Sequence, residues 1–263
     1  MGCSTRGVKR IILGICGSAT NDGGAGMAQA LGIKLFDQTG NSLPLGGSAL
    51  AQLHHIDLSG LLPELADVKI IAACDVENPL TGPTGAAAIF APQKGATPEM
   101  VTELDAALDN LARVIRLDLG RDVVNIPGAG AAGGLGAGLL GFLGAELQSG
   151  FTILADILQL EPRIAASTLV VTGEGNIDKS TVFGKVPTGI ARIAKGYGVP
   201  VIAIGGGLGV GAEELYAHGL SGIYPSTCRP MSLDEAMHES ARLVTAAARN
   251  ALELVKAGAA LGK

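Results

Sequence analysis

The chain has 263 residues, enough to bury a core in one large or two modest domains, with a net charge of -5 and a sequence pI of about 5.4. Its Lys and Arg residues are scattered without a basic stripe, so no nucleic acid is expected as a partner. Apolar residues reach 48% while aromatics stop at 3% and Trp is absent, so the core has to be assembled from Ala, Val, Ile and Leu; forty glycines gather at turns and over 128–144, as in α/β proteins.

The first element is an apolar strand over 10–16, which runs straight into the polar, glycine-rich segment Gly17-Ser-Ala-Thr-Asn-Asp-Gly-Gly24. A helix follows, with Met27, Ala30 and Leu31 at helical spacing and Gly32 as its stop. Strand, polar turn and helix N-terminus together present backbone N–H groups to an anion, with Ser18, Thr20, Asn21 and Asp22 beside them. The alternative is a tight connection capped by Asn21 or Asp22. Residues 68–74 read as a strand, and the Pro- and Gly-rich connection over 75–86 is of the length that often carries function in a compact domain. Thr97 caps a helix over 98–119 that Gly120 stops, and 131–143 reads as a helix of small residues. A buried strand over 168–172 then leads to a helix over 187–198 with proline in its first turn. A strand over 199–204, a helix over 212–218 closed by Gly219 and a short strand over 222–224 complete the alternation. The last helix starts at Ser232, which forms a capping box with Glu235, and Leu243, Ala246, Ala247, Leu252 and Val255 give it an apolar face.

Such alternation predicts a parallel sheet with helices on both faces. Composition divides the chain near residue 165, into a mixed, Gly-rich α/β domain over 1–165 and a regular, Rossmann-like βαβ portion over 166–263. The uncharged stretch 123–145 approaches bilayer length, but Asn125, Pro127 and eight glycines hold its hydrophobicity down, so no membrane span is expected. Cys3, Cys16, Cys74 and Cys228 lie far apart without C-x-x-C spacing, and the four histidines show no metal spacing. Reduced thiols and a cytoplasmic location follow as expectations. Gly128-Ala-Gly-Ala-Ala-Gly133 fits G-x-G-x-x-G literally, which admits an NAD(P)-dependent oxidoreductase. The glycines that continue at 134, 136, 138 and 141 favour close helix packing or a phosphate-facing helix of small residues.

The segment Gly14-Ile-Cys-Gly-Ser-Ala-Thr-Asn-Asp-Gly-Gly-Ala-Gly-Met27 resembles the signature of the bacterial class I glycerate kinases. The likeness continues through Ala73-Cys-Asp-Val-Glu-Asn-Pro-Leu80, Phe90-Ala-Pro-Gln-Lys-Gly-Ala96 and the run from Pro127 to Gly136. It resumes at Phe142-Leu-Gly-Ala-Glu146, Val171-Thr-Gly-Glu-Gly-Asn-Ile-Asp178, Gly184-Lys-Val-Pro187 and Pro230-Met-Ser-Leu-Asp-Glu-Ala236. Cys16 stands where the family usually has glycine, and Lys179-Ser180 stand where many members carry a glutamine before the position of Thr181. The resemblance implies two α/β domains with the active site between them. It also implies transfer of the ATP γ-phosphoryl group, with Mg²⁺, to a hydroxyl of D-glycerate, with 2-phosphoglycerate as product. Family members carry a substantial segment ahead of the strand that begins here at Arg10, so an incomplete second domain, weak phosphorylation and self-association into a homo-oligomer are expected.

A kinase must hold a nucleoside triphosphate and place the acceptor hydroxyl in line with its γ-phosphate. The commonest phosphate loop, G-x-x-x-x-G-K-[ST], is absent; Gly173-Glu-Gly-Asn-Ile-Asp-Lys-Ser180 comes near it, with Asp178 where the second glycine belongs. Gly173 and Gly175 follow a strand, where ligands of open α/β sheets bind, and with Gly128, Gly130 and Gly133 they are the nucleotide-binding candidates. Glu174, Asp178 and Lys185 are the catalytic candidates, Asp178 also as metal ligand. A carboxylate binds Mg²⁺ or accepts the hydroxyl proton, and a lysine neutralises charge on the transferred group. In the alternative, Asp178 caps a turn and Lys185 is a solvated surface charge. Ser18, Thr20, Asn21 and Asp22 are the substrate-binding candidates, with Asp75 at the next strand end, its loop flanked by Asn78 and Lys94. They offer donors to the carboxylate of glycerate and acceptors to its hydroxyls. A non-catalytic fragment that pairs with a partner is the remaining reading.

Overall fold

The computed structural model describes residues 7–182 and 185–261; Cys3 and Gly184 lie outside the described residues. The chain forms two compact units, Met1–Gly150 and Phe151–Lys263. The division falls at Gly150 and not near 165 because Ile164 and Leu160 pack into the core of the second unit.

The first unit contains β1 (Arg10–Gly14), α1 (Ala25–Ala30), β2 (Lys34–Phe36), β3 (His55–Asp57) and β4 (Lys69–Ala73). It continues through α2 (Ala86–Phe90), α3 (Pro98–Leu119), α4 (Ala131–Leu143) and β5 (Glu146–Gln148). Strands β1, β4 and β5 form a parallel sheet in that order, with Gly14 opposite Ala73 and Ala73 opposite Gln148. Central β4 buries Ile70, Ile71 and Ala72, as a strand covered on both faces should. Strands β2 and β3 make a separate antiparallel pair.

Helix α3 is set at both ends by its sequence. The Thr97 hydroxyl accepts the Met100 N–H, and Gly120 takes the left-handed conformation (φ 67°) that ends it. Its buried stripe of Ala107, Leu108, Leu111, Ala112, Val114 and Ile115 joins the main core, where full burial of each large aliphatic side chain is worth roughly 1.5–3 kcal/mol. Helix α4 departs from the uniform helix expected over 131–143. Ala132, Gly133 and Gly134 are left-handed (φ 54°, 70° and 87°), so one reversed turn precedes the regular helix. Beyond that turn, Leu139 packs beneath the parallel sheet and Phe142 into the main core.

The second unit holds α5 (Gly150–Ile157, starting at the boundary), α6 (Leu160–Ala165), β6 (Val170–Ile177), α7 (Val186–Gly196) and β7 (Val201–Leu208). It ends with β8 (Gly222–Pro225), α8 (Leu233–His238) and α9 (Ser240–Leu261). Strands β6, β7 and β8 form a parallel sheet in that order. On central β7, Val201 and Ala203 face the core made with Ala191 and Ala194 of α7, and Ile202 and Ile204 alternate to the other face. Helix α9 packs on β7 and β8 with Leu243, Ala247 and Ala251 buried.

The strand expected over 168–172 runs on to Ile177 and lies at the sheet edge, with Val171 48% exposed. The helix expected over 212–218 is a tight 3₁₀ stretch, Ala212–Tyr216. The long helix from Ser232 is broken into α8 and α9, and Ala246, Leu252 and Val255 are exposed. The Ser232 hydroxyl does accept the Glu235 N–H at 3.2 Å, but the Glu235 carboxylate reaches Arg229 at 2.5 Å. No helix among the described residues is long and apolar enough to cross a membrane.

Candidate functional site

Parallel strands gather the loops after their carboxyl ends, and here those loops carry the polar residues of the first unit. The Ile15 N–H donates to the Ala73 carbonyl at 3.2 Å, so the chain leaves β1 and β4 side by side before turning into the loops of Ser18 and Asp75. Asp22 is committed to holding the loop. Its Oδ1 accepts the Gly24 N–H at 3.1 Å, its Oδ2 the Gly26 N–H at 3.0 Å, and its carbonyl the Ala25 N–H at 3.0 Å. This is the capping role, and it draws the carboxylate toward the start of α1. The Ser18 hydroxyl accepts from Lys94 Nζ at 2.8 Å, and the Thr20 carbonyl accepts from the same ammonium at 2.6 Å. Burial pushes the Lys94 ammonium below the ordinary lysine value, and the charge of Asp22 opposes that shift. Asn21 differs from its neighbours: both polar atoms of its side-chain amide are buried without a hydrogen-bond partner. Such a group costs about 1–3 kcal/mol when left unsatisfied.

Asp75 is exposed and accepts the Gly150 N–H at 2.8 Å, a tie between two strand ends. Asn78 donates to the Thr84 carbonyl at 2.8 Å and thereby closes its own loop. The structure brings Ser18, Thr20, Asn21, Asp22 and Lys94 into one cluster, with Asp75 at the adjoining strand end.

The glycines at 128, 130 and 133 are points of close approach within the chain. A Cβ on Gly128 would lie 2.8 Å from the Cys74 sulfur, one on Gly130 would lie 2.2 Å from the Pro79 carbonyl, and one on Gly133 2.1 Å from the Thr20 carbonyl. The reversed turn of α4 is the wedge that holds the polar loop in place, for the Gly23 N–H donates to the Gly133 carbonyl at 3.0 Å.

The second unit carries a separate constellation at the carboxyl end of β6. Glu174 lies inside the strand, paired in register with Gly205, and Asp178 comes just after the strand ends. Lys185 Nζ is 3.0 Å from Glu174 Oε1, while Glu174 Oε2 is buried with no partner. Asp178 Oδ1 accepts both the hydroxyl and the N–H of Ser180, at 2.5 and 2.8 Å, and its Oδ2 accepts from Asn176 at 2.7 Å. These bonds, the Ser180 hydroxyl first, hold its carboxyl below the usual carboxylate range, with a smaller contribution from Lys185. Gly173 sits against the Ile204 carbonyl, whereas Gly175 faces open space. Among the described residues no group of three His, Cys, Asp or Glu side chains could cage a metal ion. One half-buried, ionised carboxylate at Asp178 does suit Mg²⁺, which keeps most of its shell in water and phosphate oxygens.

Comparisons with known proteins place the chain among relatives of one family. The profile of the glycerate kinase family matches residues 2–256. A glycerate kinase from Halalkalibacterium halodurans is 50% identical over 244 residues, which make up 93% of this chain and 64% of that protein. A glycerate 2-kinase from Escherichia coli K12 is also 50% identical over 244 residues, again 93% of this chain and 64% of the relative. A crystal structure of a candidate glycerate kinase 2 from Salmonella typhimurium LT2 superposes with a TM-score of 0.81 at 50% identity, over 97% of this chain and 66% of that one. That likeness bears out the architecture of two α/β domains with parallel sheets. The chain spans 64% of the length of each of the two curated relatives.

Proposed function

The chain belongs to the glycerate kinase family, and on that premise we propose that its residues serve ATP-dependent phosphorylation of D-glycerate. The observation that carries the reading is the Asn21 amide, buried and without a partner at the carboxyl end of a parallel sheet. An unsatisfied donor and acceptor on one side chain suit a small ligand bearing both a carboxylate and hydroxyls. Ser18 and Thr20 line the same loop. Asp22 and Asp75 act as positioning residues, since their carboxylates already accept backbone N–H groups.

In the second unit we assign the phosphoryl-transfer chemistry to Glu174, Asp178 and Lys185. Bound MgATP supplies a γ-phosphoryl group whose charge the metal partly neutralises. Asp178, ionised and half-buried, is the residue that would ligate Mg²⁺, and the open face at Gly175 leaves room for the nucleotide. Glu174, whose Oε2 is buried without a partner, is the proton acceptor this unit offers. Lys185, held at Glu174 Oε1, offsets the charge on the transferred group. The name of the Escherichia coli relative, a glycerate 2-kinase, favours the 2-hydroxyl and hence 2-phosphoglycerate. The exposed edge strand β6 supports self-association.

A coupled ATP/ADP assay against a panel of small hydroxy acids tests the activity, and phosphorus NMR of the product distinguishes the 2- from the 3-phosphate. ADP release with glycerate above every other acid is the expected result. Turnover of a different acid, or none with any, overturns the reading. Sedimentation across a concentration series tests the association.

A further inference from the structure

Lys94 lies 76 residues along the chain from Ser18 and 74 from Thr20, yet it donates hydrogen bonds to both. Both partners are neutral oxygens, a hydroxyl and a carbonyl. Among the described residues no carboxylate lies within ion-pair distance of Lys94, and its nearest acidic influence, Asp22, has both oxygens occupied by backbone N–H groups. A half-buried ammonium without a counter-ion is electrostatically incomplete, and an anion is what completes it. Two of its three N–H groups are used, so one remains for a ligand. The unpartnered Asn21 amide follows directly after the carbonyl that Lys94 grips.

We infer that Lys94 is the residue that selects an anionic acceptor: its free N–H binds the carboxylate of glycerate while its other two hold the Ser18–Thr20 loop around it. The inference rests on the glycerate reading above and deepens it. It makes the site one for 2,3-dihydroxy and related hydroxy acids, and it excludes neutral polyols and amides of the same shape. The selection is by charge, because the hydroxyl contacts from Ser18 and Asn21 are equally open to a neutral analogue.

Calorimetric titration of the full chain with D-glycerate, its neutral amide glyceramide, and ATP tests this, on the parent and on Lys94→Met and Lys94→Arg. The parent should prefer glycerate to glyceramide by roughly ten- to a hundredfold, as one charge-assisted hydrogen bond provides. Lys94→Met should lose that preference with ATP affinity unchanged, and Lys94→Arg should keep most of it. A Met variant that weakens glycerate and glyceramide equally would show that Lys94 only braces the loop. A shift confined to ATP would assign the ammonium to a phosphate. Either result overturns the inference while glycerate binding by the parent stands. If Lys94→Met does not fold, the folded Arg variant decides: loss of the preference in it, with the charge retained, also overturns the assignment. A parent that binds ATP but no glycerate overturns the functional reading itself, and the inference with it.

Discussion

Two glycine-rich stretches of this protein use the same residue for opposite ends. Gly130, Gly133, Gly136 and Gly138 each lie so close to other backbone that a Cβ would come within 2.1–2.3 Å of a carbonyl oxygen. Gly175, on β6, has nothing within 4 Å of where its Cβ would be. In the first stretch glycine lets the chain approach itself and fixes the polar loop of the first unit. In the second it leaves one face of the strand open. Glycine content therefore marks close approach, and the neighbour decides whether the approaching group belongs to the protein or to a ligand.

Substitutions in the two stretches should part company sharply. Gly133→Ala places a side chain in a left-handed position against the Thr20 carbonyl. The conformation should cost about 1–2 kcal/mol, and the overpacking about 1–3 kcal/mol more. Urea and thermal unfolding should show a large loss of stability, and an unchanged Tm would break the comparison. Asp178→Asn should leave the fold intact and lower kcat by about a hundredfold, as losing a metal ligand does; near-normal turnover removes Asp178 from the chemistry. Asn21→Ala should raise KM for glycerate by roughly ten- to a hundredfold with KM for ATP steady. Its Tm should not fall, because the change removes a buried amide that had no partner.

A smaller effect is expected from pH. Glycerate binding at Lys94 requires the ammonium, which is present below its pKa and lost above it. Burial sets that pKa below the ordinary 10.5, so affinity should decline severalfold as pH rises toward that value, and Lys94→Arg should abolish the decline. Gly175→Ala should do least: stability within about 0.5 kcal/mol of the parent, with a modest rise in KM for ATP. A large destabilisation there would mean that this glycine too is a packing residue.

How far the sequence could be read follows from the range of the forces involved. Helix α3 was legible end to end, because Thr97, Gly120 and a 3.6-residue apolar stripe act within the segment itself. The three-residue strands β2, β3 and β5 went unread, since no periodicity can show in so short a span. The reversed turn at the head of α4 was also hidden: glycine announces freedom but not what it faces, and Ala132 gives no hint of a left-handed conformation. At the candidate site the residue types were readable and their assignments were not. Asp22 reads as either cap or ligand until its two oxygens are seen to be taken. Lys94 stood only as a flank of the Asp75 loop, because its partners are more than seventy residues away. Nothing local marks such a contact.

The reversed turn of α4 has a bearing on how this protein can change. Because Gly133 meets the polar loop backbone to backbone, no second substitution of a neighbouring side chain can make room for an added group there. The two segments can be altered only together, as a transplanted unit. Adjustments of ligand preference, by selection or by an engineer, are therefore channelled into the few side chains that project from the fixed frame: Ser18, Asn21 and Lys94.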